Sequence, residues 1–401
     1  MTENDVIPLY TRARQKLRGI SLRFHRYLYK FINWESRFIG IKGQRGVGKT
    51  IMMLQKLLET DPNMEKSLYV SLDDLWFSVN SLPDLVEYLY PRGITTFYLD
   101  EVHKYPEWSR VLKNLYDFYP DIHIIYSGSA MLVIDYSVAD LSRRQTLYSL
   151  NGMSFREFLE YEGVFSMSAL TMDELFTRHV AIANEISSDI KVLKYFNEYL
   201  RHGYYPFYKE NPTEFMPHLA EVVRAVIESD IPSLHEISIN TIAKLKTLMM
   251  VIAENAPLEP NITRLAERLE CSRELCLKML YLLDNAKLVN ILFHHPNSYK
   301  QMKGPEKILG GDPNILYALT PTTNIGTIRE TFFTNQLSGI GRLTLATHGD
   351  YKLDDKFLFE VGGRNKKFNQ IADIPDSYLA VDDIEAGFGS RIPLYLFGCL
   401  Y

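Results

Sequence analysis

Eight residues near the amino end, Gly43-Gln44-Arg45-Gly46-Val47-Gly48-Lys49-Thr50, constrain this chain more than any others. Glycines at that spacing let consecutive backbone N–H groups turn inward around an anion, an arrangement that needs a strand before it and a helix after it. Both flanks are present. Residues 37–42 read as a short strand, and residues 51–58 carry the apolar spacing of a helix. Lys49 is then placed to reach the β and γ phosphates of a nucleotide, and the Thr50 hydroxyl to ligate a divalent metal.

Two further strands complete the pattern. Residues 94–101 form an apolar run ending in Asp100-Glu101, and the carboxyl end of a strand beside a phosphate loop is where a metal-holding acid belongs. Asp100 is expected on the metal side. Glu101 is expected to orient the attacking water and take up its proton. Residues 121–126 form the third strand and run into Ser127-Gly128-Ser129, where Ser129 is placed to contact the γ-phosphate or the water, although a plain turn of small residues fits nearly as well. The expected ligands are ATP and Mg2+, and the expected chemistry is hydrolysis.

Length and composition narrow the remaining classes. A chain of 401 residues exceeds one ordinary core, so two or three domains are expected. Hydrophobic residues at 46% and charged residues at 23% give the balance of a globular chain. The apolar runs fall far short of the roughly 20 residues that cross a bilayer, and the first residues lack a signal layout, so no membrane partner and a cytoplasmic location are expected. Cys271, Cys276 and Cys399 read as buried thiols. A net charge of −5 gives no global attraction to nucleic acid.

The order GQRGVGKT, YLDEVHKYPEW, IIYSGSA and DLSRRQTLYSLNGMSFREFL resembles the AAA-type ATPases of bacteria and archaea, over roughly residues 15–230. The resemblance implies that Ser129 senses the γ-phosphate and that an arginine near residues 141–144 serves as a finger. Here that stretch holds Arg143 and Arg144, either of which could act in cis or into a neighbouring subunit. It also leaves open a homo-oligomer. Residues 155–159 and 199–206 resemble the family's helical-lid landmarks and are expected to pack rather than catalyse.

Beyond residue 235 the pattern gives a helix over 242–252, a short helix capped by Asn261, and a longer one over 272–286. Apolar segments at 288–293 and 314–319 then read as the two strands of a wing. A winged helix of this kind can read DNA, with Arg264, Arg268, Arg273 and Lys278 as its positive charge, or join an unidentified protein partner, since Glu267, Glu270 and Glu274 interleave. The tail reads as a helix over 328–337, strands at 343–347, 350–353 and 357–361, a helix over 367–371, and strands at 378–381 and 394–397. That order resembles the restriction-endonuclease-like fold. Asp350 and Glu360 match its two acids, but Gly362 stands where its lysine belongs, so the tail is expected to be degenerate unless Lys366 or Lys367 folds back.

The expected fold is therefore α/β, a P-loop ATPase core with a parallel sheet (residues 1–165) and a helical lid (166–234), followed by a winged helix (235–320) and a small nuclease-like domain (321–401).

Overall fold

The computed structural model describes every residue except 134–140, 142, 295–303 and 369. Its described residues form two compact units, Met1–Asn151 with Pro232–Glu236, and Gly152–Ile231 with Ile237–Tyr401. This division is coarser than the four segments expected from the sequence. None of the described helices is long and apolar enough to cross a membrane.

The first unit opens with helix α1 (Glu3–Leu17), started by a capping box between Thr2 and Asp5. Its remaining elements are β1 (Phe38–Lys42), α2 (Lys49–Thr60), β2 (Ser67–Ser71), α3 (Leu82–Leu89), β3 (Thr96–Asp100), α4 (Trp108–Phe118), β4 (His123–Gly128) and β5 (Thr146–Ser149). The strands line up as β2-β3-β4-β1-β5, every pair parallel. Helices cross between them, so central strands are buried on both faces and read as continuous apolar runs. In α4, Trp108, Leu112 and Leu115 recur at helical spacing and turn inward, each such burial stabilising the core by about 1.5–3 kcal/mol. Pairing of Lys42 with Gly128 and Ser149, and of Ser71 with Asp100, brings the carboxyl ends of the strands to one edge. That edge is where ligands gather in open α/β sheets.

The second unit begins with α5 (Phe155–Glu162), α6 (Met172–Asp189), α7 (Val192–Glu198), α8 (Phe215–Ala225) and α9 (Ile231–Leu234), the last spanning the division. The lid landmarks pack here. Phe155 and Phe158 each meet Tyr199 edge-on, and the Arg156 guanidinium donates to the Tyr401 carbonyl at 2.9 Å.

Then come α10 (Ile239–Asn255), α11 (Ile262–Arg268), α12 (Arg273–Asn285), β6 (Val289–Leu292) and β7 (Lys307–Gly310), the two strands antiparallel. Asn261 and Ser272 cap α11 and α12 by accepting from the Arg264 and Leu275 N–H groups. The second strand of the expected wing is misplaced. Residues 314–319 belong to a helix, α13 (Pro313–Leu319), because Asp312 accepts from the Ile315 N–H and Pro313 fills the first turn.

The chain ends with α14 (Ile325–Ser338), β8 (Leu343–Leu345), β9 (Tyr351–Leu353), β10 (Phe357–Gly362), β11 (Ser377–Val381) and β12 (Arg391–Pro393). They make a mixed sheet in the order β12-β11-β10-β9-β8, with β10, β11 and β12 parallel and the other pairs antiparallel. Two expectations fail. The described residues of 367–371 form turns instead of a helix, and residues 394–397 lie in a 3-10 turn, Leu394–Cys399, whose side chains are all buried. A short apolar run has no period to separate strand from helix, and here the strand occupies the three residues before it.

Candidate functional site

The glycine-rich loop follows β1 directly and delivers its last residues into the first turn of α2. Gly46 and Gly48 take left-handed φ values of 85° and 98°, which a side chain would strain. Gly43 is needed for space, since a Cβ there would lie 2.4 Å from the Leu150 carbonyl oxygen. The Lys49 ammonium is folded into the loop, donating to the Gly43 and Gln44 carbonyls at 2.9 and 2.8 Å. Arg45 is exposed, whereas Gln44 and Val47 are buried.

Arg26 braces the loop from outside. Its guanidinium, 4% exposed, donates to the Val47 carbonyl and, at 2.7 Å, to the Asn151 carbonyl. Its part was hidden in the sequence, because it lies ahead of β1 in a segment without periodic pattern.

At the end of β3, the Asp100 carboxylate collects three hydroxyl donors. Thr50 Oγ1 and the Tyr69 hydroxyl each donate to Oδ2 at 2.8 Å, and Ser127 Oγ donates to Oδ1. Burial first, then the neighbouring Asp100 charge, pushes the Tyr69 phenol well above its ordinary range, so it stays a donor. Lys16 donates in turn to the Tyr69 oxygen at 2.8 Å. Tyr69 and Ser127 come from β2 and β4, and sequence spacing gave no sign that they converge on Asp100.

Glu101 follows in a left-handed conformation, φ 54° and ψ 45°, uncommon for a residue with a side chain. Its N–H donates to Ser127 Oγ at 3.2 Å. One carboxylate oxygen lies 3.4 Å from His103 Nε2, and His103 Nδ1 accepts from the Ser129 N–H at 3.4 Å. Lys49, Thr50, Asp100, Glu101 and Ser129 thus share one edge of the sheet.

Arg143 and Arg144 do not join them. Both precede β5, whose four residues, at about 3.3 Å each, set them on the opposite edge of the parallel sheet. Arg144 forks onto Asp117 at 2.9 and 3.2 Å, and Arg143 is exposed. Neither arginine therefore lies beside the phosphate loop within this chain. Just before them Leu141 is buried, whereas residues 134–140 and Ser142 lie outside the described residues.

A parallel α/β sheet whose β1 runs through a glycine loop into a helix, with a buried acid ending β3 at the same edge, is the arrangement of a P-loop nucleotide-binding domain. Residues 35–159 match the family described as AAA domain, which supports an AAA-type P-loop ATPase over that segment. An uncharacterized protein of Methanocaldococcus jannaschii is 27% identical over 297 residues, which cover 69% of this chain and 61% of that relative. Among solved structures, the Aeropyrum pernix ORC1 protein in complex with DNA is 15% identical, covering 79% of this chain and 94% of that one, with a TM-score of 0.32. AMPPCP-bound DnaA from Aquifex aeolicus is 13% identical, covering 72% and 90%, with a TM-score of 0.25. At that similarity the two structures add nothing to the family match.

Proposed function

We propose that this chain binds ATP with Mg2+ in the 43–50 loop and hydrolyses it, using the nucleotide state to act through its carboxyl-terminal segments. The observation that carries this reading is the 2.8 Å bond from Thr50 Oγ1 to Asp100 Oδ2, a hydroxyl and a carboxylate from two separate motifs facing each other beside the loop. That donor set fits a hard divalent ion, which takes oxygen ligands and few protein groups. Thr50 and Asp100 would hold Mg2+, whose part is to neutralise charge on the phosphates.

The chain's own groups do the rest. Lys49 exchanges the Gly43 and Gln44 carbonyls for phosphate oxygens, so its charge is stored in the loop until an anion enters. Glu101, projected by its left-handed backbone, orients a water and accepts its proton. Ser129 lies at the same edge, its N–H engaged by His103 and its hydroxyl oxygen accepting from the Met131 N–H at 3.4 Å, and would meet the γ-phosphate or the water from there.

Turnover of ATP by the full chain, beside Glu101→Gln and Lys49→Ala, tests this. The expected outcome is a loss of about 10²–10⁴ in kcat for Glu101→Gln with ATP still bound, and failure of Lys49→Ala to bind. Equal inertness of all three with ATP still bound by the unaltered chain would remove hydrolysis and favour a second reading, a slow-turnover nucleotide-gated module that binds DNA or protein. Exposed Arg264, Arg268 and Lys278 on α11 and α12, in three helices followed by a two-stranded ladder, support a winged-helix surface for that reading. Stimulation of turnover by duplex DNA would assign that surface to nucleic acid.

A further inference from the structure

Helix α1 is tied to the first unit by polar contacts along its length. The Trp76 indole donates to the Asp5 carbonyl at 2.7 Å, Arg12 pairs with Asp74, and the Lys16 ammonium donates to the Tyr69 hydroxyl oxygen at 2.8 Å. Val6, Leu9, Ala13 and Leu17 are buried at helical spacing and already dock the helix. The first two polar contacts reach the segment after β2. The third leads, through Tyr69, to Asp100.

Parallel register sets Tyr69 beside Tyr98 and Ser71 beside Asp100. Side chains alternate along a strand, so Tyr69 and Asp100 lie on one face, two residues apart, a gap that a phenol spans and a shorter hydroxyl does not. Both residues are 3% exposed. An ionised carboxylate accepts about four hydrogen bonds, and Thr50, Tyr69 and Ser127 occupy all but one of those directions. Thr50 belongs to the loop that would receive the nucleotide, whereas Tyr69 and Ser127 stand on β2 and β4. The sheet therefore holds the plane of the acid independently of the loop.

Lys16 settles which way the Tyr69 proton points. An ammonium carries donors only, so the phenol oxygen accepts from it and turns its own proton to Asp100. Successive bonds of this kind polarise one another, each strengthening the next by about 10–30%. Lys16 is exposed, so water would satisfy its charge without Tyr69. The contact serves the phenol rather than the lysine.

We propose that Tyr69 and Lys16 are positioning residues for the metal-side acid. Tyr69 aims the Asp100 carboxylate, Lys16 aims the Tyr69 hydroxyl, and α1 thereby sets how strongly the nucleotide loop takes a divalent ion. The inference rests on the reading of Asp100 as that acid.

Affinity of the full chain for a fluorescent ATP analogue, measured in Mg2+ and again in EDTA, gives a ratio that reports the metal's share of binding without turnover. Tyr69→Phe is expected to cut that ratio by about tenfold and to leave the metal-free affinity within about twofold, because outer partners of a metal ligand tune the metal and not the phosphates. Lys16→Met should cut it severalfold, and Lys16→Arg, which still donates, should recover most of the loss. In the Tyr69→Phe background Lys16→Met should add nothing, since Lys16 acts through the hydroxyl. The half-saturating Mg2+ for turnover should rise in the same order, with kcat at saturating Mg2+ changing less. Damage to the fold would instead lower both affinities together. A ratio unchanged in Tyr69→Phe, or an equal effect of Lys16→Met with and without the Tyr69 hydroxyl, would overturn the proposal. If Tyr69→Phe does not fold, the exposed Lys16 carries the comparison, and an unchanged ratio in Lys16→Met overturns it. Asp100→Asn separates the two levels: a ratio it leaves intact removes the metal reading and this inference with it, whereas a ratio lost there but kept in Tyr69→Phe removes the inference alone.

Discussion

His103 lies beside the Glu101 carboxylate, with Nε2 3.4 Å from one carboxylate oxygen and the ring itself almost wholly buried. With Nδ1 accepting the Ser129 N–H, the other ring nitrogen, Nε2, is the one nearest Glu101. The imidazole thus lies between the proposed base and Ser129, where it is expected to limit the directions the carboxylate can take. Replacing His103 by alanine is expected to lower kcat for ATP hydrolysis by about tenfold to a hundredfold while leaving KM within about twofold, since a misaimed base impairs chemistry rather than binding. His103→Gln, whose amide can still donate, should recover part of the loss. A kcat unchanged in both variants would show that the contact does not position Glu101.

Arg26 is expected to be a joint between loop and strand end. Its two guanidinium nitrogens serve two carbonyls, Val47 and Asn151, from one buried position. Arg26→Ala leaves the Val47 carbonyl buried without that donor, and a loss of about 2–3 kcal/mol in unfolding free energy is expected, accompanied by weaker nucleotide binding. Lysine cannot fork to both acceptors, so Arg26→Lys should restore little. Denaturant unfolding and a nucleotide-binding isotherm on the same preparations check both parts.

What could be read from the sequence was local. The 43–50 loop announces itself because its glycines, lysine and threonine act within one turn, and Asp100-Glu101 because the strand before them is apolar. Tyr69 and Ser127 could not be read in the same way, since strand order, not spacing, brings them to Asp100, and Arg26 reaches Val47 from a segment without periodic pattern. A resemblance gave Arg143 or Arg144 as a finger in cis or into a neighbouring subunit, and only the direction of β5 sets them at the far edge of this chain's own sheet. The helix at 313–319 did carry a signal, Asp312-Pro313 as cap and first turn, which the apolar run after it masked. Lys366 reaching Glu360 depends on a turn that no periodicity describes.

Asn314 is expected to be among the least replaceable polar residues of the second unit. The π-turn Tyr199–Gly203 leaves carbonyls out of the ordinary helical ladder, and the Asn314 amide donates to Tyr199 and Leu200 at 3.1 and 2.9 Å while its oxygen accepts the Tyr204 N–H at 2.9 Å. Asn314→Leu keeps the branched shape but strands three buried groups, and a destabilisation of about 3 kcal/mol or more is expected. Asn314→Asp keeps only the acceptor and should fall between the two. Urea unfolding followed by far-ultraviolet circular dichroism separates these outcomes, and equal midpoints would refute the bracing role.

Asp284 provides a pH dependence of known sign. Burial raises its pKa above the ordinary 3.8, and neither the Lys287 charge nor the Ile291 N–H, which it accepts at 2.9 Å, offsets that fully. A carboxyl group with a raised pKa binds more protons folded than unfolded, so stability falls as pH rises from the unfolded value through the folded one. At neutral pH the ionised group is therefore a net cost to this unit. Asp284→Asn keeps an oxygen for the Ile291 N–H and removes the ionisation, so its unfolding midpoint should exceed that of the unaltered chain at pH 7. The advantage should disappear below about pH 3, where the carboxyl is protonated in both states. Midpoints measured across that range decide the matter, because an advantage that persists in acid would have to come from packing rather than from charge.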